Sequence, residues 1–188
     1  MSDKLYLGTR KALIEVERGF KGWRITRSSF SGVQVPMLLP DLRDGTLYAA
    51  VEHGHFGTKL HASRDGGSTW EERASPAYPP KPEDAPEVMC PMRQKPVPWS
   101  LEKIWALESG GKSDPGVLWC GTIPGGLFKS TDSGASWSLV ESLWNNPARA
   151  KWFGGGYDWP GIHSICVDPR DHRRVLVGIS CGGVWETF

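Results

Sequence analysis

The sequence lacks the features of several large protein classes. None of its apolar runs is long enough to cross a bilayer, and its first residues, MSDKLYLGTRK, contain no apolar stretch of signal-peptide length. Neither sign of charge dominates, because the 188 residues include 22 Lys and Arg and 21 Asp and Glu. Nucleic acids and anionic membranes need a concentrated basic surface, so neither is an expected partner. The predicted location is the cytoplasm.

Cysteine is scarce and shows no pattern of a metal or disulfide site. Cys90, Cys120, Cys166 and Cys181 have no C-x-x-C spacing and no accompanying histidine pattern. We therefore expect free thiols and no cofactor. All but Cys90 lie in apolar runs typical of strands, where a buried thiol is the expected state. Residues that favour helices never accumulate into a long periodic run, which excludes a helical bundle.

Tryptophan, glycine and proline are abundant, and the sequence repeats itself. Ten Trp, 23 Gly and 15 Pro are typical of short strands joined by tight turns. The segment 118–130 reappears as 175–187, and looser copies begin at Leu5 and Leu47. Each copy is an apolar strand, a turn with small residues and a second strand of alternating pattern. These repeats predict a series of similar antiparallel sheets.

A second, sharper repeat has the pattern Ser-x-Asp-x-Gly-x-(Thr/Ser)-Trp. It occurs twice, once with Ser63, Asp65, Gly67, Thr69 and Trp70 and once with Ser130, Asp132, Gly134, Ser136 and Trp137. In a turn between two strands, the Asp side chain can accept backbone N–H groups, and Gly supplies a positive φ angle. The Trp ring is expected to lie beneath the turn. All ten residues are predicted to be structural.

This eight-residue pattern resembles the Asp-box, or BNR repeat, of sialidase-like β-propellers related to glycosyl hydrolases. The resemblance covers residues 4–188 and implies an all-β fold, a β-propeller of four-stranded antiparallel blades. The implied blade segments are 4–28, 33–74, 99–141 and 162–187, of which the middle two are complete and the outer two partial. Residues 75–98 contain eight of the 15 prolines and are predicted to form an extended loop within the single domain 1–188.

The partial blades predict that the sequence is the N-terminal part of a longer propeller. The first blade lacks an inner strand and the last lacks an outer strand. A four-bladed ring with an improvised closure is the alternative. Uncovered blade flanks would favour self-association of the chain.

Propeller topology implies which loops can hold a ligand. The Asp-box turns lie on one face, and the connections between blades lie on the other, together with the turns between the two middle strands of a blade. The candidate ligand-binding residues on this second face are His53, His55, Arg149, Trp152, Tyr157, Trp159 and His163. Flat rings beside hydrogen-bonding groups suit a carbohydrate, although the same rings could simply pack the loops.

Two carboxyl groups are candidates for catalysis on this face. Glu102 precedes an inner strand, and Asp158 lies in the aromatic loop, residues 142–161, which contains three Trp, a Phe and a Tyr. Paired carboxylates would suit glycoside hydrolysis. Sialidase activity is not expected, because Arg24-Ile25-Thr26 stands where the family pattern has Arg-Ile-Pro. A non-catalytic scaffold that binds a protein or a glycan is the alternative function.

The histidines leave a further alternative open. His53 and His55 alternate in a segment that reads as extended, and with His163 they could bind a metal ion. Hydrogen-bonded loop histidines are the preferred interpretation, so no metal site is predicted.

Overall fold

The computed structural model describes residues 3–187, and its strands form four antiparallel sheets. The first sheet contains β1 (Lys4–Gly8), β2 (Leu13–Gly19) and β3 (Gly22–Ser29). The second contains β4 (Gln34–Pro40), β5 (Leu47–Glu52), β6 (Thr58–Ser63) and β7 (Glu71–Arg73). The third contains β8 (Lys103–Ser109), β9 (Leu118–Ile123), β10 (Leu127–Ser130) and β11 (Ser138–Leu139). The fourth contains β12 (Ile162–Val167), β13 (Val175–Ile179) and β14 (Gly183–Thr187).

In every sheet, strands that follow each other in the chain are neighbours. The sheets have three, four, four and three strands, as predicted for two complete and two partial blades. The remaining helical structure is short: α1 (Glu141–Trp144) and two 3-10 turns, Gly54–Phe56 and Pro147–Lys151. No helix within residues 3–187 is long and apolar enough to cross a membrane.

The chain divides into two compact units, Met1–Arg73 and Ala74–Phe188. The first unit contains the first two sheets, and its core includes Leu13, Val35, Ala49 and Val51. The second unit contains the other two sheets, and its core includes Trp119, Leu127, Trp152, Ile162, Ile165, Val175, Val177 and Ile179. At Gly121 the two sheets of this unit come so close that a Cβ atom would lie 2.6 Å from the Ile162 side chain. The prediction that residues 1–188 form a single domain stays a prediction.

The two Ser-x-Asp turns share four hydrogen bonds. Asp65 Oδ1 accepts the Ser63 hydroxyl at 2.8 Å and the Thr69 backbone N–H at 2.9 Å, while its Oδ2 accepts the Thr69 hydroxyl at 2.7 Å. The Ser63 hydroxyl also accepts the Gly67 backbone N–H at 2.8 Å, and Gly67 has a positive φ of 85°. These bonds, chiefly those from Thr69, hold the pKa of Asp65 well below its usual range.

The second turn repeats this arrangement with Asp132 as the central acceptor. Its Oδ2 accepts the Ser136 hydroxyl at 2.6 Å, and its Oδ1 accepts the Ser136 backbone N–H and the Ser130 hydroxyl, each at 2.8 Å. The bonds from Ser136 lower the pKa of Asp132 to about 2. The Gly134 backbone N–H donates to Ser130 Oγ at 2.9 Å, as at the first turn.

The tryptophans that follow these turns are half-buried. Trp70 packs against Phe30 with ring centroids 5.1 Å apart, whereas Trp137 donates its indole N–H to the carbonyl of Ala74 at 2.8 Å. Each therefore fixes its turn to the segment that precedes its own sheet. Phe30 itself has a positive φ of 55°.

Two local expectations need correction. The segment with His53 and His55 is not extended, because Gly54 and Gly57 adopt positive φ angles and enclose the 3-10 turn. Cys166 and Cys181 are exposed rather than buried: Cys166 lies on an uncovered face of β12, and Cys181 lies in the tight turn before β14. All four thiols are free.

Candidate functional site at the start of two inner strands

A bulge at the start of β8 turns Trp105 out of the regular strand pairing. Ile104 pairs with Thr122, but Ala106 pairs with Gly121, so Trp105 is the extra residue. Bulges of this kind change the direction of a side chain and are common beside functional sites. Trp105 is half-buried.

The fourth sheet has a bulge at the same place. In β12, Ile162 pairs with Ile179 and Ser164 pairs with Gly178, which leaves His163 as the extra residue. The His163 ring lies 5.9 Å from the Trp105 ring in an edge-to-face arrangement. The imidazole Nδ1 is 2.7 Å from the Ser164 hydroxyl, and His163 is exposed. Two equivalent bulges thus bring an indole and an imidazole together.

The segment before β12 adds a third ring. Tyr157 lies 6.0 Å from Trp105, and the Lys103 ammonium group lies 5.0 Å above the Tyr157 ring. Gly161 packs directly on Trp105, because a Cβ atom there would lie 2.6 Å from the indole. The loop can approach Trp105 this closely only because position 161 has no side chain.

The two predicted carboxyl groups lie in this same region. The Trp159 side chain donates a hydrogen bond to Glu102, and the charge of Asp158 acts on Glu102. The pKa of Glu102 is raised, mainly because the carboxylate loses solvent and also because of Asp158, although the bond from Trp159 opposes the shift. Asp158 forms an ion pair with Arg93, and both side chains are exposed.

Arg93 is carried by a turn within the proline-rich segment. The Cys90 N–H donates to the Lys95 carbonyl at 2.9 Å, and the Val97 N–H donates to the Val88 carbonyl at 2.8 Å. These bonds close residues 88–97 into a hairpin-like loop. A depression of about 460 Å³ separates its tip from the loop before β12, and it is lined by Met92, Arg93, Lys95, Gly154, Gly155, Gly156 and Tyr157.

Tyr78 anchors the proline-rich segment at its other end. Its hydroxyl lies 2.6 Å from Thr122 Oγ1 and donates to the Pro124 carbonyl at 2.5 Å. Its ring packs against Phe128 and Trp144, with centroid separations of 5.3 and 4.9 Å. Burial raises the pKa of Tyr78 well above its usual range.

Two of the predicted ligand-binding side chains pack against other side chains of the protein. Trp152 is only 4% exposed and lies in the core against Trp185, with ring centroids 5.8 Å apart. The Arg149 guanidinium stacks 3.5 Å above Trp144 and donates to its carbonyl at 2.8 Å. Burial lowers the pKa of Arg149 to about 10. These contacts give both side chains a packing role, and their assignment to ligand binding stays a prediction.

His53 and His55 lie in the first unit, away from the residues described above along the chain. His53 is half-buried, with its ring 6.3 Å from that of His61, and His55 is exposed. Burial lowers the pKa of His61. Within residues 3–187, no group of three or more His, Cys, Asp and Glu side chains is arranged to hold a metal ion.

The residues that the structure brings together are Glu102, Tyr157, Asp158, Trp159 and His163. Sequence reasoning missed Arg93, Lys103 and Trp105. Trp105 had a detectable signal, because it occupies the same position in its inner strand as His163. Arg93 had no such signal in the sequence, because its contact with Asp158 joins two irregular loops. The assembled group offers ring faces, one carboxyl with a raised pKa, one ion-paired carboxylate and an exposed imidazole.

Comparison with solved structures identifies the fold. The chain is similar to the GH74 xyloglucanase from Xanthomonas campestris, with a TM-score of 0.62 and 17% identity over 98% of this chain. It spans 25% of the xyloglucanase chain. At this identity the similarity shows the fold alone, and the predicted fold class, an incomplete β-propeller of antiparallel blades, is confirmed.

Other comparisons add no argument about function. YCF48 bound to a D1 peptide has a TM-score of 0.44 with 15% identity, covering 95% of this chain and 47% of that chain. YCF48 from Cyanidioschyzon merolae has a TM-score of 0.39 with 12% identity, covering 98% of this chain and 63% of that chain. No protein-family model matches the sequence. A search of curated proteins finds no significant match.

Proposed function

We propose that this chain is an Asp-box propeller that binds a carbohydrate at the site formed by Glu102, Trp105, Tyr157, Trp159 and His163. The paired bulges of β8 and β12 are the observation that carries the proposal, because they place Trp105 and His163 side by side. Sugar rings present C–H faces to aromatic rings and hydroxyl groups to carboxylates and imidazoles. The two Ser-x-Asp turns, which share four hydrogen bonds, support the relation to Asp-box proteins.

Ligand binding can be tested by tryptophan fluorescence with a panel of neutral and acidic oligosaccharides. Binding should quench the emission in a saturable way, and Trp159→Ala should weaken binding because it removes both a ring and the donor to Glu102. Trp23→Ala is the matched control: Trp23 is 49% exposed but lies on β3 in the first unit. Absence of saturable quenching across the panel would leave the protein-binding scaffold as the better interpretation.

Glycoside hydrolysis is the second candidate function, and the different environments of the two carboxyl groups favour it. A carboxyl with a raised pKa can remain protonated and donate to the glycosidic oxygen, while an ion-paired carboxylate can act as base or nucleophile. Glu102 would be the acid and Asp158 the second group. Carboxyl groups about 5–10 Å apart flank the bond in such enzymes.

Release of reducing ends from the ligand found above tests this second function. Glu102→Gln and Asp158→Asn should each abolish release while retaining fluorescence quenching. Activity that requires protonated Glu102 should also fall as the pH rises through the raised pKa of that group. Quenching without any release by the wild-type protein would restrict the function to binding.

A further inference from the structure

A polar depression lies beside the proposed carbohydrate site, and the two share Tyr157. The depression has a volume of about 460 Å³ and lies between the tip of the hairpin-like loop 88–97 and the loop before β12. Pockets for small ligands typically measure about 300–1,000 Å³, so it is large enough for part of a ligand. Because the Tyr157 ring also lies 6.0 Å from that of Trp105, a sugar bound to these rings can extend into the depression.

The charges around this depression are mainly positive. Arg93 and Lys95 line it, and the Lys103 ammonium lies 5.0 Å from the centroid of the Tyr157 ring. Asp158 forms an ion pair with Arg93 and balances one of these three charges. Lys95 is exposed, and no carboxylate is among the residues that line the depression. The depression therefore favours a negatively charged group.

The opposite wall offers backbone donors. It is the run Gly154, Gly155 and Gly156, and no backbone hydrogen bond within residues 3–187 uses the N–H groups of these three glycines. Gly154 is buried, because the loop turns back on itself there: a Cβ atom would lie 2.0 Å from the Tyr157 carbonyl oxygen. Buried backbone N–H groups are nearly always paired. An unpaired N–H group at Gly154 therefore indicates an acceptor from outside the protein.

The arrangement of these donors favours a tetrahedral oxyanion over a carboxylate. A carboxylate is planar and is bound best by the paired N–H groups of an Arg side chain, but Arg93 already pairs with Asp158. The remaining donors are the Lys95 ammonium, which acts as a point charge, and separate backbone N–H groups on the opposite wall. A sulfate or phosphate ester has three terminal oxygens and can accept from several directions at once.

We propose that the depression binds the sulfate or phosphate ester group of a carbohydrate whose ring packs on Tyr157 and Trp105. The proposal rests on the proposed carbohydrate function and names the class of sugar. The Lys95 ammonium and the glycine N–H groups bind the ester oxygens. Arg93 adds positive charge at the rim and stays paired with Asp158.

Sugars that share one ring but differ in their charged group test the proposal. The set is glucose, glucuronate, glucose 6-sulfate and glucose 6-phosphate, together with the same four members of the galactose series. NMR titration at constant ionic strength measures the affinity and the shifts of the Gly154, Gly155 and Gly156 amide protons together. One of the esters should bind at least about tenfold more tightly than its parent sugar and shift all three amides. The ester that binds more tightly at pH 7 identifies the group.

Protein variants locate the ester in the depression. Lys95→Met should weaken ester binding about tenfold and leave binding of the parent sugar unchanged, because it removes the charge but keeps the side-chain length. The bond that Lys95 contributes to the hairpin-like loop comes from its backbone carbonyl and is retained. Lys112→Met is the matched control, because Lys112 is exposed and does not line the depression.

A second pair of variants tests the backbone donors. Gly156→Pro removes one N–H group and should weaken ester binding. Gly156→Ala retains that group, and its Cβ would meet no atom within 4 Å, so binding should be unchanged. Lys95→Met keeps the test decisive if Gly156→Pro fails to fold.

The contrary results separate this proposal from the proposed function. Equal binding of the esters and the parent sugar would overturn the proposal and leave carbohydrate binding in place. Tightest binding of a uronate would make the depression a carboxylate site and would also overturn it. If inorganic sulfate shifts the glycine amides but none of the sugars binds, both the carbohydrate function and this proposal are wrong.

Discussion

Replacement of Trp152 by alanine tests whether the aromatic loop is a core element or a ligand surface. The indole is 4% exposed and packs against Trp185, and its Cδ1 atom lies 3.0 Å from where a Cβ on Gly182 would be. A buried Trp removes about 150–250 Å² from solvent, which corresponds to about 4–6 kcal/mol at about 25 cal/mol per Å². Measured losses for such truncations are about 3–5 kcal/mol. We expect Trp152→Ala to lower the free energy of unfolding by this amount.

Guanidinium unfolding followed by circular dichroism measures the effect. Typical domains have only about 5–15 kcal/mol of stability, so the midpoint should fall markedly while the slope stays similar. Trp152→Phe retains part of the buried surface and should fall between the wild type and Trp152→Ala. Trp23→Ala is the control, because its ring is 49% exposed and the change should be within about 1 kcal/mol.

One result would refute this reasoning. If Trp152→Ala unfolds at the wild-type midpoint and has lost oligosaccharide quenching, the ring faces a ligand rather than the core. A large loss of stability with quenching retained at low denaturant would confirm the packing role.

Three further predictions concern the rest of the molecule. The lowered pKa of Asp132 stabilises the folded state above the unfolded value of 3.8, and this contribution is lost as the pH falls toward about 2. Asp132→Asn should therefore reduce the melting temperature at pH 7 but flatten its fall between pH 4 and pH 2. Tyr78→Phe should cost about 1 kcal/mol by removing the hydroxyl bonded to Pro124, and trypsin should then cleave the proline-rich segment faster. Leu7 and Ile25 are 46% and 68% exposed, so replacing both with Ser should reduce any self-association seen by sedimentation at micromolar concentration.

The sheets could be predicted from the sequence because their signals are local. The Ser-x-Asp pattern specifies a turn through contacts within seven residues, as the bonds from Ser63 and Thr69 to Asp65 show. The apolar repeats specify strands through alternation of neighbouring side chains. Together they predicted the number of strands in each of the four sheets. The contact between Phe30 and Trp70 joins residues 40 positions apart, and the sequence repeats do not predict this contact.

The candidate site was only partly predictable, because burial in an aromatic loop has no local signature. Trp152 and Trp159 are seven residues apart in the same glycine-rich run, and both suit a sugar platform. The structure buries the first and leaves the second half-exposed beside Glu102. The difference arises from the fourth sheet, whose Trp185 covers one ring, and only the folded chain contains that contact.

The paired bulges explain how a repetitive backbone can form a specific site. Trp105 and His163 are equivalent by position, because each is the extra residue at the bulge of its inner strand, and their rings lie 5.9 Å apart. The identity of those side chains is free to differ between blades, because a bulged residue lies outside the regular pairing and its side chain is not fixed by an opposite neighbour. Regular pairing continues on both sides of each bulge: Ile104 pairs with Thr122 and Ala106 with Gly121 in the third sheet, and Ile162 pairs with Ile179 and Ser164 with Gly178 in the fourth. Chemistry at this position can therefore change without loss of the sheet, which is why the proposed function depends on Trp105 and His163 rather than on the repeats themselves.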